Sequence, residues 1–178
     1  MENIFAQPGK PMPHGATIVN DGVNFSVFTR NGTSVILDIF QNPEDENPCF
    51  SYTFDPKINR TGDIWHVFLK GLKAGTLYLY RVDGPFNPEK GHRFNKNTYL
   101  LDPYAKSFTD CSVFANLPPD YVTPVDKIDI LTGKTHSAKG FPKCVVIDDD
   151  EFDWQGDRPI NYPLRQSVLY ETHLKGFT

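Results

Sequence analysis

Cysteine is scarce in this chain. Its 178 residues hold three, Cys49, Cys111 and Cys144, widely spaced and without a CxxC pair. That argues against a zinc site and reads as reduced thiols in a reducing compartment. No lysine-rich run is present and the net charge is −4. Nucleic-acid phosphates need clustered Lys and Arg, so no nucleic-acid partner is expected. A neutral partner such as a polysaccharide is compatible with this balance. No stretch approaches the length of a membrane span, so no membrane partner is expected either. Met1-Glu2-Asn3-Ile4-Phe5 lacks the charged region and apolar stretch of a signal peptide, which leaves the cytoplasm as the default. There is no internal repeat and no low-complexity tract.

Aromatic residues and turn formers are plentiful. Phe, Tyr and Trp number 14, 8 and 2, with 15 Pro and 13 Gly. Aromatics favour strands and sugar-stacking surfaces, and they also build plain β cores. Abundant Pro and Gly imply many turns and few long helices. The length suits one domain with a sizeable core plus an appendage.

Residues 1–15 read as extended and rich in turn formers. Gly22 to Arg30 then alternates, with Val23, Phe25 and Val27 on one face and Asn24 and Ser26 on the other, as in a half-buried strand. Asn31-Gly32 is a tight-turn dipeptide. Thr33 to Phe40 is almost wholly apolar and β-branched, like a central strand; its exception, Asp38, is expected to face solvent. Gln41 to Pro48 reads as a loop. Phe50, Tyr52 and Phe54 alternate again. Beyond the turn at Asn59–Asp63, Trp65, Val67 and Leu69 share one face of a strand ending at Lys70. Gly71–Gly75 closes a hairpin onto Thr76 to Asp83, where Tyr78, Tyr80 and Val82 share a face. About five short strands without an amphipathic helix make a β-sandwich pattern. A closed barrel would give similar spacing.

From Gly84 the texture changes. Leu100-Leu101-Asp102-Pro103-Tyr104 is expected to close the sandwich at about residue 108. Residues 109–142 are irregular and polar; a loop of that length is functional, ordered by a neighbour, or disordered. Cys144 to Ile147 is a short strand candidate. Ser167 to Leu174 reads as a buried strand, four residues before the chain stops.

Several segments resemble one family. Gly9-Lys10-Pro11-Met12-Pro13-His14-Gly15-Ala16-Thr17, with Gly22-Val23-Asn24-Phe25-Ser26-Val27-Phe28, is similar to the start of isoamylase and bacterial glycogen-debranching enzymes. So are Arg60-Thr61-Gly62-Asp63-Ile64-Trp65-His66 and Tyr80-Arg81-Val82-Asp83-Gly84-Pro85. More specific are Gly91-His92-Arg93-Phe94-Asn95 and Leu100-Leu101-Asp102-Pro103-Tyr104-Ala105-Lys106. Phe152-Asp153-Trp154 with Gly156-Asp157-Arg158-Pro159 resembles the family's linker, and Tyr170-Glu171-Thr172-His173-Leu174 its first barrel strand.

The resemblance implies an all-β, immunoglobulin-like sandwich over 1–108, an irregular linker over 109–164, and over 165–178 the first strand of a catalytic (β/α)₈ barrel cut short. It implies an accessory domain of a retaining hydrolase of α-1,6 branch linkages, in which one carboxylate attacks and another serves as acid and then base. None of the barrel motifs that carry those carboxylates is present. The roughly 70 residues beyond the sandwich fall far short of the ~250 a barrel takes. The chain is therefore expected not to be catalytic alone, and no catalytic residue, cofactor or metal is assigned; the alternative is a free-standing α-glucan-binding module. The expected partners are an α-glucan, and either the missing barrel or a second copy, covering apolar surface at Val168, Leu169, Tyr170 and Leu174.

The candidate carbohydrate contacts are Trp65, Tyr78, Tyr80 and Trp154. Flat rings on adjacent strands offer π faces to the axial C–H groups of glucose; the competing reading makes the first three core or interface residues. Trp154, flanked by Asp153 and Gln155, either meets sugar hydroxyls or pins the linker. Asp148–Asp150, Glu151 and Asp153 lack an EF-hand pattern and read as a solvated acidic turn. Glu171 and His173 are expected on one face of the last strand, packing or orienting rather than catalysing. Cys111 has no neighbour evident to lower its pKa.

Overall fold

The structure, a computed structural model, describes residues 4–109 and 137–177. It divides into a larger unit, Met1–Asp148, and a smaller one, Asp149–Thr178.

The larger unit is an antiparallel β-sandwich, as the alternating apolar pattern predicts. One sheet runs β1 (Phe5–Pro8), β7 (Ile64–Lys70), β3 (Gly22–Phe28), β2 (Gly15–Val19), with the two-residue β6 (Arg60–Thr61) also on β7. The other runs β11 (Ser107–Phe108), β12 (Cys144–Val145), β8 (Leu77–Asp83), β4 (Ser34–Phe40), β5 (Phe50–Thr53). A small ribbon of β9 (Phe86–Asn87) and β10 (His92–Arg93) follows β8. Period two fixes what lies between the sheets: Val23, Phe25, Trp65, Val67 and Leu69 from the first meet Val35, Leu37, Ile39, Tyr78 and Tyr80 from the second. Phe25 and Tyr78 touch edge to face across the gap, with ring centroids 5.0 Å apart. Each such side chain contributes roughly 1.5–3 kcal/mol by leaving water.

Both sheets are also covered on their outer faces, which alternation does not foretell. Asn24 and Ser26 lie beneath the extended segment 9–14. Lys10 N donates to Asn24 Oδ1 at 2.7 Å, Asn24 Nδ2 donates to Lys10 O at 3.0 Å, and Ser26 Oγ donates to Pro11 O at 2.7 Å. Asp38 is buried rather than solvent-facing. Its neighbours on the outer face bring a paired charge: Arg81 grips both its oxygens, at 2.5 and 2.9 Å, and Ser51 donates a third bond. The Tyr99 ring covers the guanidinium at 5.5 Å.

The sandwich runs past residue 108. After the segment 110–136 the chain returns, and β12 inserts between β8 and β11. Lys143, wholly buried, anchors that return: its Nζ donates to Pro43 O and Ala138 O at 2.5 and 3.0 Å and stands over the Phe40 ring. Residues 137–148 therefore fall within the larger unit.

In the smaller unit, Ser167–His173 pairs with no described strand, and Leu174–Phe177 forms one turn of helix, α1, where a strand was expected. An apolar run reads alike as strand or helix until a neighbouring strand decides.

Candidate functional site

The four candidate rings divide sharply. Trp65, Tyr78 and Tyr80 are 0%, 1% and 2% exposed. They share a face with the core valines and leucines of β7 and β8, so they are core residues. No ring face remains for a sugar. Trp65 Nε1 is aimed at Thr29 O, 3.4 Å away, and the Tyr78 hydroxyl donates to Asp102 Oδ2 at 2.8 Å. Burial drives both tyrosine pKa values well up, raises the Asp102 carboxyl, and pushes the Cys144 thiol up to about 12. These are packing groups, held in their neutral forms or stabilised by hydrogen bonds, not nucleophiles. Trp154 is the exception at 64% exposed, in the smaller unit.

A groove that the ring pattern did not indicate lies beside β8. Leu100 forms a bridge with Tyr80, exchanging N–H···O bonds of 3.0 and 2.8 Å, and so lays residues 93–100 along that strand. Between them opens a hollow of about 270 Å³, lined by Val82, Gly91, Arg93, Phe94, Asn95, Thr98 and Leu100. Val82, Phe94 and Leu100 give it apolar walls; Leu100 is 43% exposed. Gly84 lets Phe94 settle there, since a Cβ on it would lie 2.7 Å from that ring and 2.9 Å from Asn31 O.

Its polar groups are incompletely used. Asn95 Oδ1 accepts from Asn97 N at 2.9 Å, while Asn95 Nδ2 and Thr98 Oγ1 are buried without a partner. An unpartnered buried polar atom costs roughly 1–3 kcal/mol, and each one calls for an explanation. Apolar walls, one cation at the rim and two unpartnered polar groups suit a small hydroxylated ligand. The sequence signal was the Gly91–Asn95 run, which stands out by its resemblance and not by any alternation.

The remaining candidates form no reactive centre. Among the described residues no three His, Cys, Asp or Glu side chains gather as a metal site. Asp153 folds locally, accepting from Gln155 N at 2.8 Å. His173 O accepts from Gly176 N and Phe177 N at the start of α1, and Glu171 is exposed. Cys111 lies outside the described residues. Among the described residues no helix is long and apolar enough to cross a membrane.

Comparison with known proteins bears on this geometry. The family model "Carbohydrate-binding module 48 (Isoamylase N-terminal domain)" matches residues 13–105. Isoamylase 1, chloroplastic, of Arabidopsis thaliana is 38% identical over 186 residues, covering 99% of this chain and 21% of that protein. The glycogen debranching enzyme of Yersinia enterocolitica is 39% identical over 176 residues, covering 96% of this chain and 24% of its own. The chain thus spans under a quarter of these relatives' length. Among solved structures, the multi-modular glycogen-degrading pneumococcal virulence factor SpuA superposes on 84% of this chain with a TM-score of 0.52 at 16% identity, covering 13% of that chain. The pullulanase SAP, solved with maltotetraose, superposes on 81% of this chain with a TM-score of 0.51 at 18% identity, covering 15% of that chain. At such identities the likeness is one of fold.

Proposed function

Because the chain belongs to the carbohydrate-binding module 48 (isoamylase N-terminal domain) family, we propose that it is a non-catalytic accessory module that binds α-glucan for a protein hydrolysing α-1,6 branch linkages in glycogen-like substrates. The observation that carries the glucan contact is the groove beside β8. Its volume of about 270 Å³ is near the lower end of small-molecule sites, ~300–1,000 Å³, and suits a single sugar ring. Phe94 and Leu100 offer apolar surface to a pyranose face. Arg93, Asn95 and Thr98 offer hydrogen bonds to its hydroxyls.

Affinity electrophoresis in glycogen-containing gels tests this. The chain is expected to be retarded, and Phe94→Ala or Leu100→Ser to reduce retardation about fivefold, the size of one lost ring or side-chain contact. Equal mobility of all three with and without glycogen would count against glucan binding.

A second role is supported by the exposed apolar residues Leu164, Val168, Leu169 and Tyr170 of the smaller unit. In the longer relatives the chain aligns with under a quarter of the protein. This run is proposed to dock on the catalytic barrel of such a protein, or on a second copy when the barrel is missing.

A further inference from the structure

The smaller unit carries a second feature, built from a turn. Trp154-Gln155-Gly156-Asp157 closes on itself, with Asp157 N donating to Trp154 O at 2.9 Å. Both central residues have positive φ, 50° for Gln155 and 85° for Gly156, as in a primed type I turn. Asp153 Oδ1 takes the Gln155 N–H at 2.8 Å, and Asp157 Oδ1 takes the Arg158 N–H at 2.9 Å. These bonds fix the backbone on both sides of the indole. The Phe152 ring stands edge-on to it, 4.9 Å away and inclined at 74°. Phe152 is 65% exposed, so neither ring is a core residue of its own unit. Beside Trp154 lies a hollow of about 560 Å³, lined also by Asp157, Arg158, Pro159 and Ile160.

We propose that this corner is a second α-glucan contact, distinct from the groove beside β8. One glucose ring stacks on the Trp154 indole, while the Asp157 carboxylate and the Arg158 guanidinium bond its hydroxyls. The stack supplies dispersion and C–H···π attraction at little entropic cost, because the turn and Phe152 already hold the indole. A carboxylate and a guanidinium side by side accept from and donate to vicinal hydroxyls. The choice of an α-glucan over another sugar rests on the function proposed above; the corner itself rests on its own geometry.

The chain's two tryptophans make the test direct, since Trp65 is buried and Trp154 exposed. Maltoheptaose is titrated into the whole 178-residue chain while fluorescence and acrylamide quenching are followed. The emission is expected to shift to shorter wavelength and quenching to fall, with neither change in Trp154→Phe, whose signal comes from Trp65 alone. In glycogen gels Trp154→Ala is expected to weaken retardation about fivefold. An unaltered Trp65 emission would verify that this variant is folded. Retardation lost in Phe94→Ala, with Trp154 emission and Trp154→Ala mobility unchanged, would overturn the second contact and leave the groove standing. Retardation lost in Trp154→Ala but intact in Phe94→Ala would support the corner and remove the groove. An unretarded wild-type chain with unchanged emission would overturn both, and would leave Trp154 as a docking residue.

Discussion

The Asp38 carboxylate lies out of solvent between two partners, Arg81 and Ser51. Removing it strands a guanidinium that is itself largely covered. Asp38→Ala is therefore expected to cost about 3 kcal/mol in urea unfolding, whereas pairing it with Arg81→Met should recover part of that loss, because an uncompensated charge costs more than an absent pair. Nothing in the run from Thr33 to Phe40 says that an arginine from β8 will stand beside this aspartate; that depends on strand register. The same holds for Trp65, Tyr78 and Tyr80. Their alternation shows that they share a face with core residues, but not that a second sheet closes over that face. Asp102 provides a pH test. Burial raises its pKa in the folded chain above the unfolded value of 3.8. Its contribution to stability is therefore fully present below that value and is lost as pH rises through the folded pKa. Melting curves of wild type and Asp102→Asn are expected to differ increasingly in the wild type's favour as pH falls from neutrality towards about 4.

Among the elements, the long strands were legible and so was the short strand at Cys144, but β6, β9, β10 and β11 were not. β3, β4, β7 and β8 each have seven residues, enough for a period of two to show. β11 and β12 have two residues each; β12 pairs along the edge that β8 offers, and β11 pairs with β12. The groove belongs with the unreadable elements, since the bridge at Tyr80 and Leu100 assembles it from a strand and a loop. Gly84 links loop chemistry to that groove. A methyl group there meets the Phe94 ring and the Asn31 carbonyl. Gly84→Ala is expected to displace Phe94, lower stability by roughly 1–3 kcal/mol, and weaken glycogen retardation without abolishing folding. Unchanged retardation at a lowered melting temperature would separate Phe94 from binding.

For the molecule as a whole, the sequence pattern ends the sandwich at about residue 108, whereas the sheet is completed by β12 and the buried Lys143. A chain ended after Asp148 is expected to unfold in urea with the midpoint of the full chain. One ended after Phe108 uncovers the β8 edge at Leu77 and Tyr78 and should lose cooperative unfolding. If the two shortened chains were equally stable, β12 would be an ornament on a sandwich complete without it. The central claim, that the larger unit is a glucan-binding module whose contact lies beside β8, is tested most directly by amide chemical shifts. ¹⁵N-labelled chain is titrated with maltoheptaose. The account predicts saturable shifts concentrated at Val82, Arg93–Asn95 and Thr98–Leu100, with those of the opposite sheet, β2 and β3, unmoved. Saturable shifts confined to β2, β3 and the segment 9–14, or none anywhere in the larger unit, would contradict it.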